Sequence, residues 1–181
     1  MKLLICSDIH GSLMGAKKAM LAFDKEKCDK ILLLGDLLYH GPRNDLPEEY
    51  NPKAVIELLN ANKDKILAVR GNCDTEVDQM VLNFPILADY AYLNLDNVSV
   101  FATHGHKYGR DNLPPLQCGE VLLTGHTHVA VAEKFGESNY YVNPGSVSIP
   151  KCEYGPTYAV YENRSFKVKK FNGETVLELN V

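Results

Sequence analysis

The sequence predicts a mixed α/β fold in a single domain, residues 1–181, with two packed sheets and outer helices. The first two-thirds of the chain alternates short apolar runs with helical patterns, whereas the later part is a series of short Val- and Tyr-rich segments separated by turn residues. With 181 residues, 45% of them hydrophobic, the chain can bury a substantial core.

The N-terminal part has the pattern of a β-α-β-α-β unit. The runs 2–6, 30–34 and 65–69 are apolar on both faces, as expected of strands in a sheet covered by helices. Between the first two runs, apolar residues recur at helical spacing over 16–23. Before the third run, Asn51 is expected to cap a second helix that begins with a proline.

The later segments predict eight strands. Each is short and is bounded by turn residues. They are expected at 90–95, 98–104, 120–126, 129–135, 139–143, 157–162, 165–171 and 175–181. Two long loops rich in proline and polar residues, 40–52 and 107–117, are expected to shape a site.

Charge, cysteine spacing and the lengths of the apolar stretches argue against a nucleic-acid-binding protein, a disulfide-rich protein and a membrane protein. The net charge is −4 and the 19 basic residues are scattered, so we expect no stable nucleic-acid complex. Five cysteines without paired spacing argue against a disulfide framework and favour a reducing compartment, the cytoplasm. No stretch approaches a membrane span. Tyrosines and valines expected to be exposed on the C-terminal strands would suit a homo-oligomer interface.

Potential metal ligands follow the apolar runs, where open α/β sheets place their ligands. They are Asp8, His10, Asp36, Asn72, His104, His126 and His128. Together with His106, two residues after His104, they include five of the six histidines of the chain, and glycines adjoin the ligands repeatedly. One histidine near a core is usually structural, but this clustering favours a metal site.

The ligand types narrow the choice of metal. Carboxylates, an amide oxygen and imidazoles suit Mn²⁺, Fe, Zn²⁺ or Ni²⁺ better than Ca²⁺. Seven ligands are too many for one ion, whereas two ions can share a carboxylate and act together in phosphoryl transfer.

The motifs D-x-H, G-D, G-N-x-D, His-Gly and G-H-x-H, in this order and at these spacings, resemble those of the calcineurin-like metallophosphoesterase superfamily. The resemblance covers nearly the whole chain and extends to the small bacterial and archaeal phosphodiesterases of this superfamily. It implies a four-layer αββα sandwich of two mixed sheets flanked by helices. It also implies a phosphodiesterase with two divalent metal ions, Mn²⁺ being the family-based expectation.

The resemblance also implies how the ligands divide between the ions. Asp8, His10 and His128 would hold one ion, Asn72, His104 and His126 the other, and Asp36 would bridge them. A hydroxide shared by the ions would attack phosphorus in line, so no side chain need act as nucleophile.

Cys73 departs from the family pattern, because many members have a histidine after the asparagine. A thiol could donate a proton to the leaving group, but it lacks the charge and reach of imidazole. A small, partly buried cysteine without a catalytic role is an equal alternative. Because the imidazole is missing at this position, we expect the enzyme to prefer substrates with acidic leaving groups.

Four further residues lie near the motifs. His106 would contact substrate phosphate or support a ligand, or have no role. His40 and Arg43 lie just beyond Asp36, where the guanidinium would grip a phosphate oxygen or simply be solvated. Asp74 is expected to cap the helix that begins at 75 rather than to act in catalysis.

Other functions within the same fold remain as alternatives. A phosphomonoesterase or nucleotide hydrolase would share the metal ligands and differ in its loops. A retromer subunit of this fold is a protein-binding scaffold with an altered metal site. That alternative is disfavoured because all seven ligand positions here carry competent residue types.

Overall fold

Eleven strands, three α-helices and a short 3₁₀-helix (Lys63–Lys65) make up the regular structure of the computed structural model, which describes residues 1–181. The elements are β1 (Leu3–Cys6), α1 (Leu13–Glu26), β2 (Lys30–Leu33), α2 (Pro52–Ala61), β3 (Ile66–Ala68), α3 (Glu76–Val81), β4 (Tyr90–Leu95), β5 (Val98–Thr103), β6 (Val121–Leu123), β7 (Ala130–Phe135), β8 (Asn139–Pro144), β9 (Thr157–Glu162), β10 (Ser165–Lys170) and β11 (Thr175–Asn180). Every predicted strand is present. The most shortened is β6, because the chain leaves the sheet after Leu123.

The strands form two mixed sheets, as predicted. The first has the order β11-β10-β9-β1-β2-β3, in which β1, β2 and β3 are parallel. The second has the order β4-β5-β6-β8-β7, in which β5, β6 and β8 are parallel. Because parallel strands end at a common edge, the segments that follow them can meet and form a site.

Alternate residues of the central strands enter two different cores. Leu4 and Leu33 pack in a cluster with residues of α1 and α2. Leu3 and Leu32 pack instead between the sheets, in a cluster that includes Val100 of β5. Burial on both faces explains why these strands have continuous apolar sequences without polar alternation.

The tyrosines of β9 belong to these cores and not to a surface. Tyr158 is 1% exposed and Tyr161 is fully buried. The expectation of a self-pairing surface made by exposed tyrosines of the C-terminal strands is therefore wrong at these positions. Their hydroxyl groups have internal acceptors, the Glu26 carboxylate and the Leu95 carbonyl, which allows the rings to be buried.

Side-chain caps fix where the first two helices begin. Ser12 Oγ accepts a hydrogen bond from the Gly15 N–H (3.0 Å), and Asn51 Oδ1 accepts one from the Ala54 N–H (3.2 Å). The predicted cap at Asn51 is confirmed. None of the helices combines the length and the apolar character needed to cross a bilayer.

A loop covers the outer face of the second sheet. Phe101 and Tyr141 are buried there, with Tyr108 and Leu116 of the loop 107–117 packed on them. The helices that carry buried residues, α1 and α2, both pack on the first sheet. The predicted fold class is confirmed, and this loop occupies the outer layer on the second sheet because its prolines disfavour a helix.

A carboxylate joins α1 to the first sheet. Glu26 accepts hydrogen bonds from the Tyr158 hydroxyl (3.0 Å) and the Lys169 ammonium, and Lys2 Nζ lies 3.8 Å away. The Glu26 side chain is 12% exposed. Burial alone would raise the pKa of Glu26, but Lys169 and Tyr158 outweigh it and lower this pKa below its ordinary value.

We expect Glu26→Gln to lower the free energy of unfolding at pH 7 by about 1–2 kcal/mol, because charge-assisted hydrogen bonds are lost. Since the folded-state pKa is depressed, this stabilisation is present above the unfolded pKa and is lost as the pH falls through the folded pKa. Urea denaturation at several pH values should therefore show the difference shrinking in acid.

The matched control is Glu162→Gln, which removes the more exposed partner of Lys2 and should cost less than about 0.5 kcal/mol. Equal losses in the two variants, or a difference for Glu26→Gln that persists in acid, would contradict this role of Glu26.

Candidate metal centre

The predicted ligands meet where the parallel strands of both sheets end. Asp8 and His10 follow β1, Asp36 follows β2, Asn72 follows β3, His104 follows β5, and His126 and His128 follow β6. Contacts cross between the sheets: His128 of the second sheet reaches Asp8 of the first, and His104 of the second reaches Asp36 of the first. The structure thus brings together residues that are more than 100 positions apart in the sequence.

Three of the imidazoles are oriented by main-chain carbonyl groups. The Nδ1 atoms lie within hydrogen-bond distance of carbonyl oxygens: His10 of Tyr39 (2.8 Å), His104 of Leu34 (2.6 Å) and His128 of Ile149 (2.6 Å). Because a carbonyl oxygen only accepts, each Nδ1 must carry a proton, and Nε2 is the atom available to a cation. Metal-binding histidines are commonly fixed in this way.

Asp8, His10 and His128 form the first group of donor atoms. Asp8 Oδ1 lies 3.6 Å from His10 Nε2 and 3.2 Å from His128 Nε2, and the two Nε2 atoms are 3.3 Å apart. Ligands about 2.1 Å from one ion lie roughly 3.0–3.4 Å apart when adjacent in octahedral or tetrahedral geometry. Asp8 is fully buried and its Oδ1 has no hydrogen-bond partner. A cation fits this group and would satisfy that oxygen.

Asp36 lies between this group and a second set of donors. Its Oδ2 is 3.6 Å from His10 Nε2 and 3.5 Å from His104 Nε2. His104 Nε2 is in turn 3.1 Å from Asn72 Oδ1. The other oxygen, Oδ1, accepts a hydrogen bond from the Cys73 N–H (2.8 Å). One carboxylate oxygen therefore faces both groups, as sharing between two ions would require.

His126 lies on the more open side of the site. Its ring centroid is 5.1 Å from that of His104, and its main-chain N–H donates to Asp8 Oδ2 (3.1 Å). The closest groups of donor atoms do not include its imidazole. The ring is partly buried and lines a cavity of about 380 Å³ together with His10 and Asp36.

Five of the seven residues have backbone conformations in the left-handed region. Their φ angles are +57° for Asp8, +50° for His10, +56° for Asp36, +66° for His126 and +60° for His128. Such conformations cost on the order of 1–3 kcal/mol each and persist only where the surroundings enforce them. Their concentration at this site is a structural signature of function that no sequence pattern revealed.

Three residues that support this strained backbone were missed in the sequence. Ser146 Oγ and Ser148 Oγ both donate to the Asp8 carbonyl oxygen (2.9 and 2.7 Å). Asn143 Nδ2 donates to the Gly125 carbonyl oxygen (2.7 Å), just before His126. All three lie in the stretch NPGSVS at the end of β8, and its place after a strand was the signal that could have identified them.

The buried carboxylates and imidazoles of the site shift one another's pKa values. Burial lowers the pKa of His104, but the Asp36 carboxylate outweighs it and raises this pKa to about 9. Burial would raise the pKa of Asp8, but the adjacent imidazoles of His10 and His128 lower it well below its ordinary range. A cation that binds here must therefore compete with imidazole protons.

Asp74 does not cap the following helix, and that expectation is wrong. The cap of α3 is Thr75, which forms a capping box with Asp78. The buried Asp74 carboxylate instead accepts hydrogen bonds from the N–H groups of Asp36 (2.8 Å), Leu37 (2.9 Å) and Gly71 (2.8 Å). It fixes the backbone that presents Asp36.

Cys73 is partly buried and lies against the ligands. Its Sγ belongs to a close group of potential ligand atoms with His10 and Asp36, and it accepts a hydrogen bond from Asn72 Nδ2 (3.2 Å). Burial, together with the negative charge of Asp36, raises the pKa of the thiol to about 12. The thiol is therefore neutral at physiological pH, and its role in protonating a leaving group stays a prediction.

Three candidate site residues remain: His106, His40 and Arg43. The ring centroid of His106 is 5.4 Å from that of His104, and burial together with the charge of His104 lowers the pKa of His106 to about 4. His40 packs edge-on against Tyr39 and does not line the cavity that contains His10 and Asp36. Arg43 is exposed and lines that cavity.

Comparison with known proteins identifies one matching family and phosphodiesterases that are similar to this chain. A model of the calcineurin-like phosphoesterase superfamily domain matches residues 1–165. The chain is 46% identical over 177 residues to phosphodiesterase YfcE of Escherichia coli strain K12, covering 98% of this chain and 96% of the relative. It is 29% identical over 189 residues to phosphodiesterase MJ0936 of Methanocaldococcus jannaschii, covering 98% and 100%. The resemblance predicted from the motifs, which extends to YfcE itself, is confirmed.

Solved structures agree with this result. The structure of E. coli YfcE, a phosphoesterase, has a TM-score of 0.95 and 45% identity, covering 98% of each chain. Vps29 of Chaetomium thermophilum has a TM-score of 0.62 at 16% identity, covering 99% of this chain and 98% of its own. The likeness to Vps29 shows only that the two proteins share a fold.

We expect Asp74→Asn to weaken metal binding at least tenfold and to lower the free energy of unfolding by about 2–3 kcal/mol, because an amide cannot accept from three N–H groups as a carboxylate does. Calorimetric titration with Mn²⁺ and urea denaturation measure the two effects. Asp78→Asn, which alters only the cap of α3, should leave metal affinity unchanged. Wild-type metal affinity in Asp74→Asn would exclude the positioning role.

Proposed function

The chain belongs to the calcineurin-like phosphoesterase superfamily, and on that basis we propose that it is a metal-dependent phosphodiesterase with a two-metal centre. The observation that supports this most directly is the approach of Asp36 Oδ2 to both His10 and His104. We regard residues 1–181 as one domain that carries this activity.

The proposed ligands form two sets joined by a shared carboxylate. Asp8, His10 and His128 hold one ion, Asn72, His104 and His126 hold the other, and Asp36 is shared. The donor distances around Asp8 and Asp36 support this division. His126 is its least constrained member, since its imidazole stands outside the closest groups.

When bound, two divalent cations lower the pKa of water and neutralise charge that develops on the phosphoryl group. The chain contributes orientation: main-chain carbonyls hold three imidazoles, and Asp74 holds the backbone of Asp36. Cys73 stays a neutral thiol beside the reacting centre, consistent with a preference for acidic leaving groups. No side-chain nucleophile is needed.

Metal identity and surroundings are further parts of the proposal. Mn²⁺ is the favoured metal, and Fe, Zn²⁺ and Ni²⁺ are the alternatives that this donor set accepts.

We place the protein in the cytoplasm, since all five cysteines are free. The substrate is a small phosphoester. The net charge of −4 disfavours a stable nucleic-acid complex. A homo-oligomer is compatible with this proposal.

The proposal predicts that purified protein stripped with a chelator and refilled with Mn²⁺ cleaves a chromogenic phosphodiester faster than the matching monoester. We expect Asp36→Asn to reduce kcat on the diester by roughly 10²-fold or more, because charge stabilisation at the centre is lost. Asp45→Asn, in the exposed part of loop 40–52, is the matched control and should keep full activity.

Two results would contradict the proposal. Faster cleavage of the monoester would favour a phosphomonoesterase. Lack of cleavage of both esters with every metal offered would favour a protein-binding scaffold.

A further inference from the structure

The cavity above the ligands contains two positive side chains without acidic partners. Arg43 and Lys151 line it, and Asp36 is the one carboxylate in its lining. In the adjacent cavity of about 420 Å³, by contrast, Lys107 and Arg110 are already engaged in ion pairs of 2.7 Å with acidic side chains, Asp89 and Glu133 respectively. The two cavities share His126 and Thr127. Of these two neighbouring cavities, the one that holds the metal ligands is therefore the one whose positive side chains lack an acidic partner.

The backbone places Lys151 relative to a metal ligand. Its N–H donates to the His128 carbonyl oxygen (2.9 Å), and two residues earlier the Ile149 carbonyl accepts from His128 Nδ1 (2.6 Å). The segment that carries Lys151 is thus hydrogen-bonded at two points to His128, a member of the first group of proposed ligands. The Lys151 side chain is exposed and lines the cavity.

Arg43 is carried by a turn on the first-sheet side of the site. The turn is closed by Asn44 Nδ2, which donates to the His40 carbonyl oxygen (2.8 Å), and by Gly41, whose φ of +82° few other residues adopt. A Cβ at Gly41 would lie 3.4 Å from Cys73 Sγ. The turn is therefore seated directly against the proposed metal centre, with Arg43 at its exposed side.

The charges at the proposed metal centre indicate what Arg43 and Lys151 bind. Two divalent cations bring four positive charges, and the carboxylates of Asp8 and Asp36 remove two of them. An attacking hydroxide and the single negative charge of a phosphodiester remove the others. A simple diester thus neutralises the ions and their proposed ligands. The buried Asp74 carboxylate accepts from main-chain N–H groups and does not line the cavity, so Arg43 and Lys151 are left as surplus positive charge there. Unpaired cations beside a cleft attract further anionic groups.

We propose that the natural substrate is a phosphodiester with a second anionic group, such as a terminal phosphate, on one of its arms, and that Arg43 and Lys151 bind this group. The inference rests on the proposed phosphodiesterase function and specifies its substrate class. Lys151 is then a specificity residue, and Arg43 contacts the second anion rather than the phosphate that is cleaved. The lining of the cavity, which includes one apolar residue among twelve, fits a hydrophilic arm better than a lipid.

Two esters that differ in one phosphate test this inference. Thymidine 5′-(4-nitrophenyl phosphate) and its 3′-phosphorylated derivative are both diesters that release 4-nitrophenol. We expect wild-type kcat/KM to be at least about tenfold higher for the 3′-phosphorylated ester, a difference of about 1.4 kcal/mol. In Lys151→Gln and in Arg43→Gln this ratio should fall several-fold, and in the double variant it should approach one. Lys107→Gln, which removes a cation already paired with Asp89, should keep the wild-type ratio.

A binding measurement separates this inference from the proposed activity. Calorimetric titration of the Mn²⁺-loaded protein with thymidine 3′,5′-bisphosphate and thymidine 5′-phosphate should show the same preference, and the preference should weaken as salt is raised. Equal treatment of the two esters by the wild type, or a ratio that survives in the double variant, would overturn the inference. If neither ester is cleaved, the proposed function fails, and the calorimetric ratio still decides whether Arg43 and Lys151 bind a second anion.

Discussion

The burial of two carboxylates among imidazoles is the constraint on which the site depends. Asp8 is fully buried and Asp36 is 2% exposed, and carboxylates at such depth are stable only when paired with positive charge. Protonated imidazoles supply that charge within the chain, and divalent cations would supply it in the active enzyme. The unpartnered Asp8 Oδ1 shows that protein groups alone leave the centre incompletely satisfied.

The surrounding structure holds these groups in positions that they would not adopt freely. Left-handed backbone at Asp8 and Asp36 is secured by hydroxyl donors in one case and by the Asp74 carboxylate in the other. Close packing supports the same loops, since a Cβ at Gly71 would lie 2.1 Å from Asp36 Oδ1. The packed core beside the site stabilises this strained backbone, since Ile9, between Asp8 and His10, and Leu37, next to Asp36, are fully buried in it.

Much of the fold, and the meeting of the candidate ligands at one edge of the sheets, could be predicted, because both depend on short-range patterns. Strands buried on both faces have continuous apolar sequences, and ligands follow them directly. What could not be predicted depends on distant contacts. Asp74 reaches residues 37 and 38 positions away, so proximity to a helix start suggested a cap instead. Tyr158 and Tyr161 are buried because their hydroxyls find acceptors elsewhere in the fold, which strand periodicity does not reveal.

The number of metal ions bound per chain decides whether Asp36 bridges a two-metal centre. Equilibrium dialysis of stripped protein against Mn²⁺, followed by elemental analysis, should give two ions per chain in the wild type. The loss of the shared carboxylate in Asp36→Asn should leave one ion or none. A single ion in the wild type, or two ions in Asp36→Asn bound with wild-type affinity, would contradict a two-metal centre bridged by Asp36.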